Sequence, residues 1–225
     1  MWINGITVDV LGQYPWASIV VAYVLGALPF AVLIGKIAGV DPRNKGSGNP
    51  GASNVTRVMG LQWGILTLVL DASKSALACL LALPLGLGWA ALAGVVSVFA
   101  HCTSPFLGFK GGRGVASTLG CLLILHPGLM GICLFIWICV LMTTRKPAWA
   151  SVAMAFCLVL TSHLQGVSDE IKSLAIATAS IIVIRHWVYI QQLLGQKKPK
   201  KRTQVQHIPK KISKKNRSRK QPKVK

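Results

Sequence analysis

The chain has 225 residues, 52% of them hydrophobic and only 13% charged, with a mean hydropathy of +0.55. Soluble domains carry about 25% charged residues, so this composition excludes an ordinary water-soluble domain and points to lipid as the solvent. The net charge of +20 is unevenly spread: residues 197–225 hold 14 Lys/Arg and no acid, which leaves 11 Lys/Arg and five acids for the rest.

A transmembrane helix needs about 20 mostly apolar residues. In chain order the candidate spans are 16–38, 61–84, 88–107, 114–126, 128–144, 148–165 and 172–194. Pro84-Leu85-Gly86, Pro127-Gly128 and Lys146-Pro147 mark breaks between them. The expected fold is therefore an all-α integral membrane protein, a bundle of about seven transmembrane helices over residues 1–196. The fourth span is short, and Pro and Gly also occur inside membrane helices, so five or six spans is the alternative. The N-terminus has neither a basic region nor a small-residue cleavage site, so no removed signal peptide is expected.

With seven spans the basic residues sort to one side. Arg43, Lys45 and Arg57 follow the first span, Lys110 and Arg113 the third, and Arg145 and Lys146 the fifth. Asp9, Asp169, Glu170 and Lys172 fall on the other side. Cytoplasmic loops are enriched in Lys and Arg, which predicts an outside N-terminus and a cytoplasmic C-terminus. Six tryptophans (Trp2, Trp16, Trp63, Trp89, Trp149, Trp187) lie near span ends, as an interfacial belt would. The six cysteines sit in apolar runs without metal-ligand spacing and read as small buried hydrophobes. Residues 197–225 form a second region, a basic low-complexity tail expected to be disordered. Its expected partners are anionic lipid headgroups, at about 1 kcal/mol per cation near the surface. It has no aromatics for base stacking, so nucleic acid is an unlikely partner.

Two glycine-rich stretches on the basic side carry the chemistry: "GSGNPGASNVTR" from Gly46 and "KGGRGVAST" from Lys110. In each, flexible backbone precedes a helix start, where bare N–H groups attract anions. Gly48, Gly111 and Gly112 would offer such groups. Arg57, Lys110 and Arg113 would add charge, and Ser47, Asn49, Asn54, Ser117 and Thr118 neutral hydrogen bonds. The second stretch lacks P-loop spacing, and neither lies in a strand–helix unit. Ordinary positive-inside loops are the plainer reading, but two such loops on one face favour phosphate binding. Asp71 and Lys74, three apart within the second span, have the spacing of an ion pair. His101 precedes the second loop, and His186 ends the last span. His126 and His163 carry no expected role. No G-x-S-x-G nucleophile and no H-E-x-x-H zinc motif is present, and neither a cofactor nor a metal is implied.

These stretches resemble the PlsY family, bacterial membrane acyltransferases that use acyl phosphate to acylate glycerol 3-phosphate. The resemblance runs over roughly residues 18–195. "DPRNKGSGNPGASNVTRVMG" is similar to the family's first motif, and "LDASK" looks like its L-D-x-x-K. "HCTSPFLGFKGGRGVAST" resembles the second motif, with Arg113 where the family usually has Lys. "WASVA" resembles a short stretch carrying a serine, here Ser151. "RHWVYIQQLLGQ" keeps Arg185, His186, Ile190 and Leu193 of the last motif. Tyr189 stands where the family has Asn, Gln192 where it has Arg, and the closing Glu is absent.

The resemblance implies transfer of a fatty acyl group from acyl phosphate to the 1-hydroxyl of glycerol 3-phosphate, giving lysophosphatidic acid and phosphate. It implies an active site at the cytoplasmic face of the bacterial inner membrane. Two phosphate-bearing substrates suit two anion-binding loops. An acyl phosphate has a good leaving group, so positioning and charge stabilisation can do most of the work. On this reading Ser47, His186 and Tyr189 are catalytic. Ser47, Gly48, Asn49, Asn54, Arg57, Lys110, Gly111, Gly112, Arg113 and Ser151 bind substrate phosphate. Asp71, Lys74 and His101 are structural or support the site. A small-anion transporter and an inactive scaffold of the same fold are the alternatives.

Overall fold

The computed structural model describes residues 12–193, so the tail and its lipid contacts, Trp2 and Asp9 lie outside the described residues. Every regular element among the described residues is helical. The helices are α1 (Pro15–Ala27), α2 (Phe30–Ile37), α3 (Ala52–Met59), α4 (Leu61–Ala82), α5 (Leu87–Cys102), α6 (Val115–Leu125), α7 (Pro127–Thr144), α8 (Pro147–Leu164), α9 (Asp169–Arg185) and α10 (Trp187–Leu193). Single 3₁₀ turns, Leu83–Leu85 and Pro105–Leu107, extend α4 and α5.

Helices stand at all seven expected places. Five are long and apolar enough to cross a membrane: Pro15–Ile37, Leu61–Leu85, Leu87–Leu107, Pro127–Thr144 and Pro147–Leu164. The other two are α6, 11 residues, and α9, 17 residues. At 1.5 Å per residue α6 is about 16 Å long, half a hydrocarbon core. The structure corrects the outer two segments. The first is not continuous: Pro29 breaks it after Ala27, and α2 starts afresh at Phe30. The last begins at Asp169, not 172, and is interrupted at His186 before α10. Elsewhere the breaks follow local chemistry. Gly60 and Gly86, at φ +105° and +108°, adopt turns closed to side-chain-bearing residues. Pro127 and Pro147 open α7 and α8 at the first turn, where a missing N–H costs nothing.

Packing runs α1 on α5, α4 on α6, α7 on α8 and α8 on α9, with α4 and α5 at the centre. The core around Val98, Leu122, Leu129, Met154, Leu158, Leu174 and Ile182 joins α5 to α9. Lipid is as apolar as leucine, so helix association rests on close fit and polar contacts. Hence small residues mark the seams. A Cβ on Gly26 would strike the backbone of Ser97, and one on Gly120 the backbone of Ala72. Leucines and phenylalanines fill the outer surface, among them Leu66, Leu80, Phe99, Phe135 and Phe156. Four of the six cysteines are buried, as expected; Cys139 is exposed and Cys157 half-buried.

Three ionisable side chains join the central helices. Lys74 of α4 donates to Asp71 Oδ1 at 3.0 Å, His101 Nδ1 at 2.9 Å and the Leu28 carbonyl at 2.8 Å. All three ammonium protons are thereby used. His101 Nδ1 also lies 3.5 Å from Asp71 Oδ1, so the three groups form one cluster. Ser104 Oγ donates to the Ala27 carbonyl at 2.6 Å, so the carbonyls of Ala27 and Leu28 at the Pro29 break both find side-chain partners.

The glycine seams give a direct test. Gly120→Ala should destabilise the protein by about 1–3 kcal/mol, because the methyl group meets unyielding backbone. Gly131→Ala, on the open face of α7, should be neutral or stabilising by up to about 1 kcal/mol. Thermal unfolding of both variants in detergent checks this; equal midpoints would contradict it.

Candidate active site

The first loop is organised by one side chain. Asn54, in the first turn of α3, is 1% exposed. Its Nδ2 donates to the carbonyls of Pro42 at 2.8 Å and Lys45 at 3.1 Å, and its Oδ1 accepts from the Ser47 N–H at 2.8 Å. The Gly48 N–H donates to the Lys45 carbonyl. Gly46 and Gly48 have φ of +62° and +73°, and a Cβ on Gly46 would collide with Asn54 Oδ1. The expectation of bare loop amides is therefore corrected at Ser47 and Gly48: both N–H groups are spent inside the loop. Asn54, expected to bind substrate oxygen, has its amide committed to loop backbone. What emerges is the exposed Ser47 side chain, the half-buried Asn49 and the exposed Arg57. At the loop's edge the Arg43 guanidinium donates to Asp41 through three contacts of 2.7, 3.1 and 3.2 Å, which holds that carboxyl below the usual carboxylate range.

The second loop is built on the same plan. Gly111 N–H donates to the Cys102 carbonyl and Gly112 N–H to the His101 carbonyl, both at 3.1 Å. The carbonyls of the pair accept from Arg185, Gly111 from Nη2 at 2.7 Å and Gly112 from Nε at 3.1 Å. All four polar groups are paired, which corrects the expectation of bare phosphate-binding amides here as well. The glycines serve close approach instead: a Cβ on Gly112 would strike the His101 ring, and one on Gly111 the His101 carbonyl. Lys110 is exposed, and Arg113 is half-buried. Arg113 Nη2 donates to Tyr189 Oη at 2.8 Å, with its guanidinium carbon 4.6 Å from that ring's centre.

The two loops meet at one small cleft. Leu28, Phe30, Pro50, Asp71, His101 and Gly112 line it, so the first loop, the second loop and the ion cluster share a wall. His186, 2% exposed, donates from Nδ1 to the Ile182 carbonyl at 2.8 Å, which leaves Nε2 as the acceptor. Its ring is 6.2 Å from that of Tyr189. Ser117 Oγ donates to the Asp71 carbonyl at 3.2 Å. Thr118 Oγ1 is the one buried side-chain polar atom without a partner among the described residues. Ser151 is engaged elsewhere: its Oγ donates to the Pro147 carbonyl and accepts from the Trp137 indole at 3.3 Å. Sequence reasoning gave no role to Arg185 as the tie of the second loop, nor to Ser104, Phe30 and Pro50. The signals for Arg185 were its place beside His186 and its match to the last family-like motif.

A family model described as Glycerol-3-phosphate acyltransferase matches residues 16–196. A glycerol-3-phosphate acyltransferase of Aquifex aeolicus is 35% identical over 179 residues, covering 78% of this chain and 93% of that protein. One of Fusobacterium nucleatum is 37% identical over 180 residues, covering 79% and 93%. Two solved structures share the fold. The glycerol 3-phosphate form of PlsY, an integral membrane glycerol 3-phosphate acyltransferase, has a TM-score of 0.75 and 33% identity, covering 80% of this chain and 92% of that one. Its lysophosphatidic acid form has a TM-score of 0.74 and 31% identity, covering 84% and 94%.

The loop geometry separates the buried Asn54, which holds the loop, from the exposed Ser47 side chain. Asn54→Ala removes three hydrogen bonds and should lower stability by about 1–3 kcal/mol. Ser47→Ala, at an exposed hydroxyl, should leave the unfolding midpoint unchanged. Thermal unfolding of both variants decides; a midpoint lowered equally by Ser47→Ala would contradict the assignment.

Proposed function

The chain belongs to the glycerol-3-phosphate acyltransferase family, and on that premise we propose that it transfers a fatty acyl group from acyl phosphate to the 1-hydroxyl of glycerol 3-phosphate. The products are lysophosphatidic acid and phosphate. The observation that carries the proposal is that both loops reach one cleft, the first through Pro50 and the second through Gly112, beside the Asp71–Lys74–His101 cluster. A transport reading would leave the product form of the solved relative without a counterpart.

The backbone of both loops is committed internally, so recognition falls to side chains. Ser47 and Asn49 offer neutral hydrogen bonds to phosphate oxygens. Arg57, Lys110 and Arg113 offer charge-assisted ones, which are shorter and about twice as strong. His186, with Nε2 as acceptor, orients a substrate hydroxyl. In the reaction the hydroxyl oxygen attacks the acyl carbonyl carbon and the carbonyl–phosphate C–O bond breaks. Phosphate departs with the electron pair, and the hydroxyl proton passes to a phosphate oxygen. Holding the two substrates in line supplies several kcal/mol of the barrier, and the fixed cations stabilise charge as phosphate leaves.

We also place the site at the cytoplasmic face of a bacterial inner membrane, with the N-terminus outside. The support is charge. Arg43, Lys45, Arg57, Lys110, Arg113, Arg145 and Lys146 fall on one side of a seven-span arrangement, and Asp169 and Glu170 on the other.

Purified protein incubated with palmitoyl phosphate and labelled glycerol 3-phosphate should yield lysophosphatidic acid and phosphate in equal amounts. Ser47→Ala and Arg57→Ala should each lose about tenfold or more in kcat/KM while still inserting in membrane, the cost of a hydrogen bond to a charged group. No product from the folded parent, or near-normal kinetics in both variants, would refute the assignment. Labelling of a cysteine at position 47 from outside sealed cells would refute the orientation.

A further inference from the structure

We propose that Tyr189 is a positioning residue for Arg113, and that its ring and hydroxyl hold the guanidinium as one half of a two-residue clamp on a substrate phosphate. The inference rests on the acyltransferase reading and adds to it a coupling between two positions.

Arg113 leaves the loop immediately after Gly111 and Gly112, whose backbone is bonded on all four sides. The base of the side chain is thus fixed, while its tip lies several rotatable bonds away. Tyr189 supplies the missing restraint. Its hydroxyl accepts from Nη2 at 2.8 Å, and its ring centre lies 4.6 Å from the guanidinium carbon. Tyr189 is itself held, with its N–H donating to the His186 carbonyl at 2.8 Å. A guanidinium is planar, stacks on aromatic faces and donates in a rigid fork, so a ring and an oxygen fix both its plane and its rotation. In accepting from Arg113, the phenol keeps its own O–H proton to give away. The pair therefore presents two donors, one charged and one polarised by that charge, to a single anion. Phosphate oxygens, of a phosphomonoester or an acyl phosphate, are acceptors of the right class.

The same geometry accounts for two of the departures from the resembling motifs, those at 113 and 189. A lysine ammonium is compact and needs no flat support. An asparagine is several ångströms shorter than tyrosine and has no face to stack on. Arg113 with Asn at 189 would lose its platform, and Lys at 113 with Tyr189 would leave the platform without its planar partner.

The test is a double-mutant cycle of Arg113→Lys, Tyr189→Asn and the double variant, with Tyr189→Phe to separate hydroxyl from ring. Each single Lys or Asn variant should lose about tenfold in kcat/KM. Independent effects would multiply to about a hundredfold in the double variant, whereas coupling predicts that it lies within about tenfold of the parent. Tyr189→Phe should lose severalfold. The loss should appear in KM for the substrate whose phosphate the clamp holds, glycerol 3-phosphate or acyl phosphate, with that for the other unchanged. A double variant that falls by the product of the singles overturns the proposal, as does a Tyr189→Asn single that outpaces the parent. So do losses in kcat alone that track a lowered unfolding midpoint. Calorimetric titration of the same proteins with glycerol 3-phosphate and with inorganic phosphate reads the cycle without turnover. A parent that binds but makes no lysophosphatidic acid would sink the acyltransferase reading and leave the coupling measured.

Discussion

The structure depends on keeping one ammonium satisfied in a low-dielectric interior. Lys74 is 4% exposed, Asp71 2% and His101 7%, and charged groups at such a depth persist only when paired and hydrogen-bonded. The tolerance is tight, since the ammonium must find three acceptors at once. It finds them on three pieces of chain: Asp71 on α4 itself, His101 on α5 and the Leu28 carbonyl at the break between α1 and α2. Removing one partner of such a group typically costs 3–5 kcal/mol, because the remaining charge is left buried and alone. The cluster therefore acts as a three-way joint, and what is built on it inherits its position.

The second loop is built on it, and the first lies against it. The second packs Gly112 on the His101 ring and hydrogen-bonds to the backbone of His101 and Cys102. Arg185 closes it from above, which brings the end of α9 and the start of α10 to the same place. The first loop reaches the joint through Pro50, which shares a cleft wall with Asp71 and His101. A backbone satisfied in this way is rigid and electrostatically quiet. Side chains then decide what binds, and they can change without loss of the loop. Arg113 and Tyr189 illustrate that freedom: they depart from the resembling motifs while the glycines and Asn54 beneath them stay.

The fold was largely legible in the sequence, because hydropathy is a strong signal over 20 residues and positive charge marks the loops. The breaks at Pro29 and His186 were less so. Pro29 lies in an otherwise unbroken apolar run, and His186 has no helix-breaking residue beside it; its ring instead bonds back to the Ile182 carbonyl. The ion cluster was half visible. The spacing of Asp71 and Lys74 gives the pair, but His101 is 27 residues beyond Lys74, and only tertiary packing brings it to the ammonium. For the glycines the positions were readable and the reason was not. A glycine before a helix offers its N–H to an anion or its missing Cβ to a neighbour, and composition does not distinguish the two. At Gly111 and Gly112 the neighbour is His101. Asn54 is the same case: an amide in a polar loop reads as a ligand until its three partners are seen to be backbone.

The central claim is that the loops are prefolded around internal hydrogen bonds and that side chains carry recognition. Amide hydrogen exchange at Ser47, Gly48, Gly111 and Gly112, in lipid nanodiscs with and without glycerol 3-phosphate, tests it most directly. All four amides should be protected already in the ligand-free protein, with little added by the ligand. Fast exchange without ligand and strong protection with it would show that phosphate, not the protein, is the acceptor, and would contradict the account.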